Sequence, residues 1–570
     1  MSVSRSVSRA VRRPTLTALA IAAISLIVPT VATAAPPGNV DVQLLAINDF
    51  HGNLEPPTGS GGLINGVAAG GVEYLATHIK NLHATNPDRT LEVAAGDLIG
   101  GTPLISAAFH DEPTIEAMNA LGLDLSAVGN HEFDEGVNEL LRIQNGGCHP
   151  IDGCQDGTGY EGAEFQYLAA NVVKKSNGKT IFPAYKTRSL GGAKVGFIGL
   201  TLEGTPSIVT PSGIASVNFL DEAETINAAT EELKAKGIGT VVVLIHEGGS
   251  QASTSAAPNS CLNFGGAIVP IVAQLDDEVD LVISGHTHNF YNCLLPNSQG
   301  RSIPVTSSSS FGRLVTDIDM TINRTTGQPT SITVENKVVT RDVTPDPAQQ
   351  TLVATYRTAV APIANRVVGQ ISASITRTTV ASGESPLGDV IADAQLAYTQ
   401  SANAQIALMN PGGIRADLTF ANSPGGEAPG DVTFGEVFTV QPFNNLVATI
   451  TLTGAQLKTV LEQQFTGFMG QTATRILQPS AGFTYSYDST QALGSRVSNM
   501  ALNGTPIDPA AAYRVTVNNF LADGGDGFTS LTAGTNRETQ TGFDVDALAN
   551  YIGANSPVAP GPANRITKTG

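Results

Sequence analysis

Gly129-Asn130-His131-Glu132-Phe133-Asp134 follows a largely apolar run, Leu121 to Val128. The run reads as a buried strand, and the hexapeptide as the loop that ends it. Gly and Ser could have closed such a loop, yet four polar side chains crowd it. Asn130 offers a neutral oxygen donor. His131 and Asp134, three apart, can hydrogen-bond, which suits an acid or electrostatic partner held by a carboxylate. Glu132, equally polar, reads as local structure.

Four further loops repeat the pattern. Val42–Ile47 ends at Asn48-Asp49-Phe50-His51, and Leu91–Ala95 at Gly96-Asp97. Thr240–Ile245 ends at His246-Glu247-Gly248-Gly249, and Val279–Ser284 at Gly285-His286-Thr287-His288. Helical spacing over 71–84, 114–121 and 222–236 separates these runs, and Lys194–Leu200 is another strand. Strands alternating with helices predict α/β layers, whose strand-end loops gather into one crevice. From Ser302 to Thr340 the alternation becomes that of antiparallel strands.

Cut to Asp49-Phe50-His51, Gly96-Asp97, Gly129-Asn130-His131, His246–Gly249 and Gly285–His288, the five loops carry two Asp, one Asn and five of the chain's nine His. Carboxylate, amide oxygen and imidazole together suit Zn, Mn, Fe or Co better than Ca or Mg. They are too many for one ion. They fit two divalent ions sharing a carboxylate, about 3.5–4 Å apart as in two-metal hydrolases. His78, His83, His110 and His149 fall in helical or linker sequence and take no role in this reading.

The whole chain has 570 residues, 41% hydrophobic and 14% charged, with formal charge −19. It is too long for one core. Its acidity disfavours a nucleic acid polymer or an anionic membrane surface as partner. Residues 1–34 read as an export signal: Arg5, Arg9, Arg12 and Arg13 precede the apolar stretch Thr17–Val31 and the cleavage site Ala32-Thr33-Ala34. The stretch is too short for stable membrane insertion. Its removal predicts an exported protein of charge −23. In an oxidising compartment the four Cys are expected to pair as Cys148–Cys154 and Cys261–Cys293, one of three connectivities. A zinc cluster is the competing reading, and the spacings are not CxxC-like.

Asp346 before Pro347 reads as a helix start, and 346–366 as a helical linker. A second pattern follows: helix Leu387–Tyr398, strand Ala404–Met409, the tight loop Asn410–Arg415, helix Leu457–Phe465, and strands Leu446–Leu452, Phe483–Tyr487 and Tyr513–Val517. Gly413 lets backbone approach a ligand, and Arg415 can grip an anion. Phe443 and Phe520 can sandwich a flat base, and Asp526 can accept from ribose hydroxyls. The expected organisation is 1–34 export signal, 35–345 first domain, 346–366 linker, 367–555 second domain and 556–570 loose tail.

The ordered motifs DFH, GD, GNHEFD, HEGG and GHTH resemble the calcineurin-like metallophosphoesterases. More closely they resemble the periplasmic and cell-surface 5′-nucleotidase family, bacterial UDP-sugar hydrolases included. The resemblance implies a layered α/β/β/α metallophosphoesterase domain, a linker helix and a C-terminal α/β substrate-binding domain. It implies one ion on Asp49, His51, Asp97 and His288, and another on Asp97, Asn130, His246 and His286. A water activated between the ions would attack phosphorus, with His131 and Asp134 assisting. The NPGGIR-like loop and the Phe loops resemble the family's C-terminal domain, implying that Asn410, Gly413, Arg415, Phe443, Asn445, Phe520 and Asp526 bind a nucleotide, which a domain rotation carries to the metals. One departure stands out: Gly383 occupies a position where family members often carry Arg, and Arg377 could replace it if its loop folds back. The resemblance implies release of phosphate from nucleoside 5′-monophosphates, extending to nucleotide sugars or diphosphates. The alternatives are a 2′,3′-cyclic nucleotide phosphodiesterase and, from another class, an inactive nucleotide-binding surface protein.

Overall fold

In the computed structural model, residues 38–251 and 256–570 are described. The export signal expected over 1–34 lies outside them. Among the described residues no helix is long and apolar enough to cross a membrane.

The N-terminal half is built on two six-stranded sheets. In the first, Asn39–Ile47, Thr90–Ala94, Leu125–Ala127 and Gln166–Leu168 run parallel, and Leu314–Asn323 and Pro329–Val338 close the other edge antiparallel. In the second, Ala193–Thr201, Thr240–His246, Val279–Ser284 and Ser302–Ser308 run parallel. Alternate residues of each strand serve opposite faces. Leu44, Val93 and Leu125 meet Phe197, Val242 and Leu281 between the sheets. Leu45 and Ala94 pack outward against Leu75, Ile115 and Met118 of the first sheet's helices. Val241 and Val243 do the same against Ile226 and Leu233. The result is the expected α/β/β/α layering.

The run before Gly129 differs from its reading as one strand. Leu121 ends a helix, Gly122 turns the chain at φ 91°, and strand pairing covers Leu125–Ala127. Both cysteine pairs, Cys148–Cys154 and Cys261–Cys293, are disulfides.

The helix Pro347–Ala364 begins where Asp346 accepts from the backbone N–H groups of Ala348 and Gln349. It lies against the N-terminal half: Gln349 donates to the Ala117 carbonyl at 2.9 Å, and Tyr356 to Glu116 at 2.8 Å. Beyond it stand a five-stranded sheet centred on Ala512–Asn518 and a four-stranded sheet.

The expected loose tail from residue 556 is a correction. Ile566–Lys568 is a strand parallel to Phe483–Tyr487, and the buried Arg565 side chain pairs with Asp393 at 2.8 Å. The Pro and Gly content that suggested disorder is confined to the approach. The residues after it find a sheet edge and a cluster of buried acids.

Candidate active site

The five polar loops converge at the carboxyl ends of the parallel strands, cross-tied by backbone. Asp49 N–H donates to the Gly96 carbonyl and His51 N–H to that of Asp97, each at 3.0 Å. Space there is tight: a Cβ on Gly96 would lie 2.7 Å from the Gly129 nitrogen. Asp49, His51, Asp97, His286 and His288 all have positive φ, between 47° and 71°. That region is costly for side chains with a Cβ and clusters at functional sites. Here it turns five side chains of three of the loops inward.

Overlapping trios of donor atoms result, each within 4.8 Å of one another: Asp49, His51 and His288; Asp97, His246 and His286; and His51, Asp97 and His131. Asp97 belongs to two of these, with Oδ2 3.5 Å from His51 Nε2 and 2.9 Å from His246 Nε2. Asn130 Oδ1 is 2.9 Å from His286 Nδ1. Thus all seven residues expected to hold metal meet in one cluster.

The donor set fits cations. His51 Nδ1 faces the Gly100 carbonyl at 2.7 Å and His246 Nδ1 the Ala95 carbonyl at 2.8 Å. Each carbonyl holds the ring proton on Nδ1, which leaves an Nε2 lone pair aimed inward. For His246 that lone pair faces a carboxylate oxygen at 2.9 Å. Two acceptors repel at that distance, so a cation joins them. Burial would lower His246, yet Asp97 raises it to about 10. Without a metal a second ring proton fills the gap, and a metal ion would take that proton's place. Burial pushes His51 and His288 well below the usual imidazole range and His286 down to about 3, so these rings stay neutral ligands. Burial would raise the Asp97 carboxyl, but His246, His131 and His51 hold it well below the usual range.

His131 stands beside the cluster with Nδ1 2.9 Å from Asp134 Oδ2. Burial opposes its charged form, yet Asp134 and Asp97 raise it above the ordinary imidazole value. Glu132 is buried and turned the other way. It accepts from the backbone N–H groups of Asp97, Leu98 and Gly129 at 2.6–2.9 Å, tying two loops of the cluster together. This agrees with its reading as local structure.

The C-terminal half completes the crevice. The Phe443 ring stacks on His131 with centroids 5.5 Å apart, and the Arg415 guanidinium lies over Phe443 at 5.6 Å. A cavity of about 240 Å³ is lined by Asn410, Gly413, Arg415, Phe443, Asn445, Phe520 and Asp526, and also by Asn130, His131 and His286. All the residues expected to bind nucleotide therefore open toward the metal cluster. Asn410 Nδ2 donates to Asp526 at 2.7 Å. Gly383 has φ 83°, and a Cβ there would lie 2.7 Å from Ile476. Arg377 is not among the residues lining this cavity; it lines a second one, whose wall Arg415 shares.

Sequence reasoning missed Arg475, whose Nε is 3.4 Å from Asp526 Oδ1 in the same cavity. It stands in a loop with no periodic signal. Ile208, Val209 and Thr210, from the N-terminal half, were missed for the same reason.

Fold and donor set define the class, a metal-dependent phosphoesterase of the calcineurin-like type. Residues 42–290 match the calcineurin-like phosphoesterases, and residues 367–533 the 5′-nucleotidase C-terminal domain. The chain is 31% identical over 547 residues to the cell wall protein Lmo0130 of Listeria monocytogenes, covering 90% of this chain and 67% of that one. It is 31% identical over 539 residues to Endonuclease YhcR of Bacillus subtilis, covering 93% of this chain but 41% of the relative's length. Among solved structures, the 5′-nucleotidase precursor of Thermus thermophilus superposes with TM-score 0.77 at 28% identity, covering 93% of this chain and 99% of that one. The chain belongs to the 5′-nucleotidase family, a family of metal-using hydrolases.

Proposed function

We propose that the chain is an exported phosphohydrolase that releases phosphate from nucleoside 5′-monophosphates, with UDP-sugars and nucleoside diphosphates as further candidates. The observation that carries this reading is the continuity of one cavity from Asp526 and Phe520 to His131 and His286. A phosphate beside the His cluster and a nucleoside among the Phe rings can belong to one molecule.

In this reading Asp49, His51, Asp97 and His288 hold one divalent ion, and Asp97, Asn130, His246 and His286 a second. Such ions activate water near neutral pH and offset phosphate charge. His131, kept cationic by Asp134, binds charge developing on the phosphoryl group or the leaving oxygen. Arg415 supplies a cation to the phosphate from the side of the C-terminal half. Phe443 and Phe520 hold the base, Asn410, Gly413 and Asn445 line its place, and Asp526 takes the ribose. The domains follow as 35–345 for chemistry, 346–366 as linker and 367–555 for the nucleotide.

The test is a panel of AMP, UDP-glucose, ADP and 2′,3′-cyclic AMP, each with Mn, Zn or Co, or with chelator. Metal-dependent phosphate release, fastest from AMP, is expected. Faster turnover of the cyclic nucleotide would favour the phosphodiesterase reading. No release from any substrate would overturn the enzyme.

A further inference from the structure

Outside the crevice, a second group of metal-ligating side chains comes together from three separate segments. His110 stands at φ 50° in the turn between the helices Leu104–Ala107 and Glu112–Leu121. Glu135 directly follows Asp134. His149 and Asp152 lie in the short loop closed by the Cys148–Cys154 disulfide. Donor atoms of His110, Glu135 and His149 lie within 4.8 Å of one another. Glu135 faces His110 Nδ1 at 2.9 Å, while Asp152 Oδ2 lies on the other side of that ring, 3.1 Å from His110 Nε2 and 3.2 Å from His149 Nδ1.

We propose that His110, Glu135 and His149 form a binding site for one divalent transition ion, separate from the crevice, with Asp152 accepting from the other His110 ring nitrogen and so fixing its proton. Two imidazoles with a carboxylate select Zn, Ni, Co or Cu over Ca or Mg. The disulfide restricts the loop that carries His149 and Asp152, which lowers the entropy lost on binding. The imidazoles are stacked, with centroids 3.8 Å apart and planes 17° from parallel. Capture of an ion therefore requires the His149 ring to turn out of the stack, which its place on a surface loop permits. A bound ion would tie the disulfide loop to the segment that carries His131 and Asp134.

The ion would compete with protons. The hydrogen bond to Glu135 is the largest influence raising His110, to about 9, with burial opposing and Asp152 and Glu139 adding to the rise; His149 is the other titratable group facing it. Metal binding must displace that proton, so affinity rises with pH up to about 9.

Equilibrium dialysis of the full mature chain against zinc chloride, with metal counted per chain by mass spectrometry, tests the site. The His110→Ala/His149→Ala double variant is expected to hold one zinc fewer than the wild type, while phosphate release from AMP stays within about twofold. Asp152→Asn, a near-isosteric change, should weaken this one zinc by roughly 10-fold or more and carries the same comparison if the double variant loses its fold. The wild-type excess should shrink from pH 8 to pH 6. Equal zinc in wild type and variants would overturn the site, as would an excess indifferent to pH.

Discussion

At the scale of single residues, adjacent positions in one loop point in different directions. Asn130 meets His286, His131 meets Asp134, and Glu132 turns inward to hold three backbone N–H groups. The backbone decides this. Residues 131–133 form a single 3₁₀ turn, which fans successive side chains about its axis. His131 shares a donor trio with His51 and Asp97 yet is paired to Asp134, so its removal separates a ligand role from a phosphate-binding one. We expect His131→Ala to lower kcat by roughly 10²–10⁴ while the metal content of the chain is unchanged. Elemental analysis beside steady-state kinetics checks it. Loss of metal in step with activity would make His131 a ligand and break the assignment.

At the scale of elements, strand ends were legible because burial on both faces writes apolar runs, and their polar stops stand out against them. The site was legible for the same reason. Where signals were local and irregular, the reading failed. Arg475 and Ile208–Thr210 sit in loops whose shape comes from tertiary packing, and the terminal strand Ile566–Lys568 is three residues long. Gly383 shows how an element's geometry can explain a departure. Its φ of 83° and the close Ile476 side chain leave no place for the Arg often found there in the family. Glu384, next to it, is buried and accepts from the backbone N–H groups of Arg565 and Ile566. The segment thus supports the terminal strand, and Arg377 lines the neighbouring cavity rather than the one beside the metal cluster. Restoring the Arg should therefore harm the protein. Gly383→Arg is expected to destabilise it by about 1–2 kcal/mol from the left-handed backbone alone, with further cost from Ile476 and no fall in KM for AMP. A thermal melt and a KM measurement decide. A stable variant with tighter substrate binding would show that the loop can reopen.

At the scale of the whole molecule, the cavity is shared between halves that come from distant sequence. Its walls include Val209 and His131 on one side and Phe520 and Arg475 on the other. On the proposed reading a nucleotide held there touches both halves, and a rotation between them is expected to carry it to the metals. The linker helix Pro347–Ala364 cannot absorb that motion along its length, because Gln349 and Tyr356 bind it to the N-terminal half. Rotation then falls to the residues just after it, near Asn365, where the helix ends. The turns Thr205–Ser207 and Gly525–Gly527 touch across the cleft and mark where the halves can be locked. Cysteines introduced at Ser207 and at the exposed Thr529, two residues past the second turn, joined by a short bis-maleimide, should abolish turnover of AMP while adenosine bound before cross-linking stays bound. All four native cysteines are in disulfides, so the introduced pair reacts alone. Turnover unchanged by the cross-link would show that substrate reaches the metal cluster without domain motion.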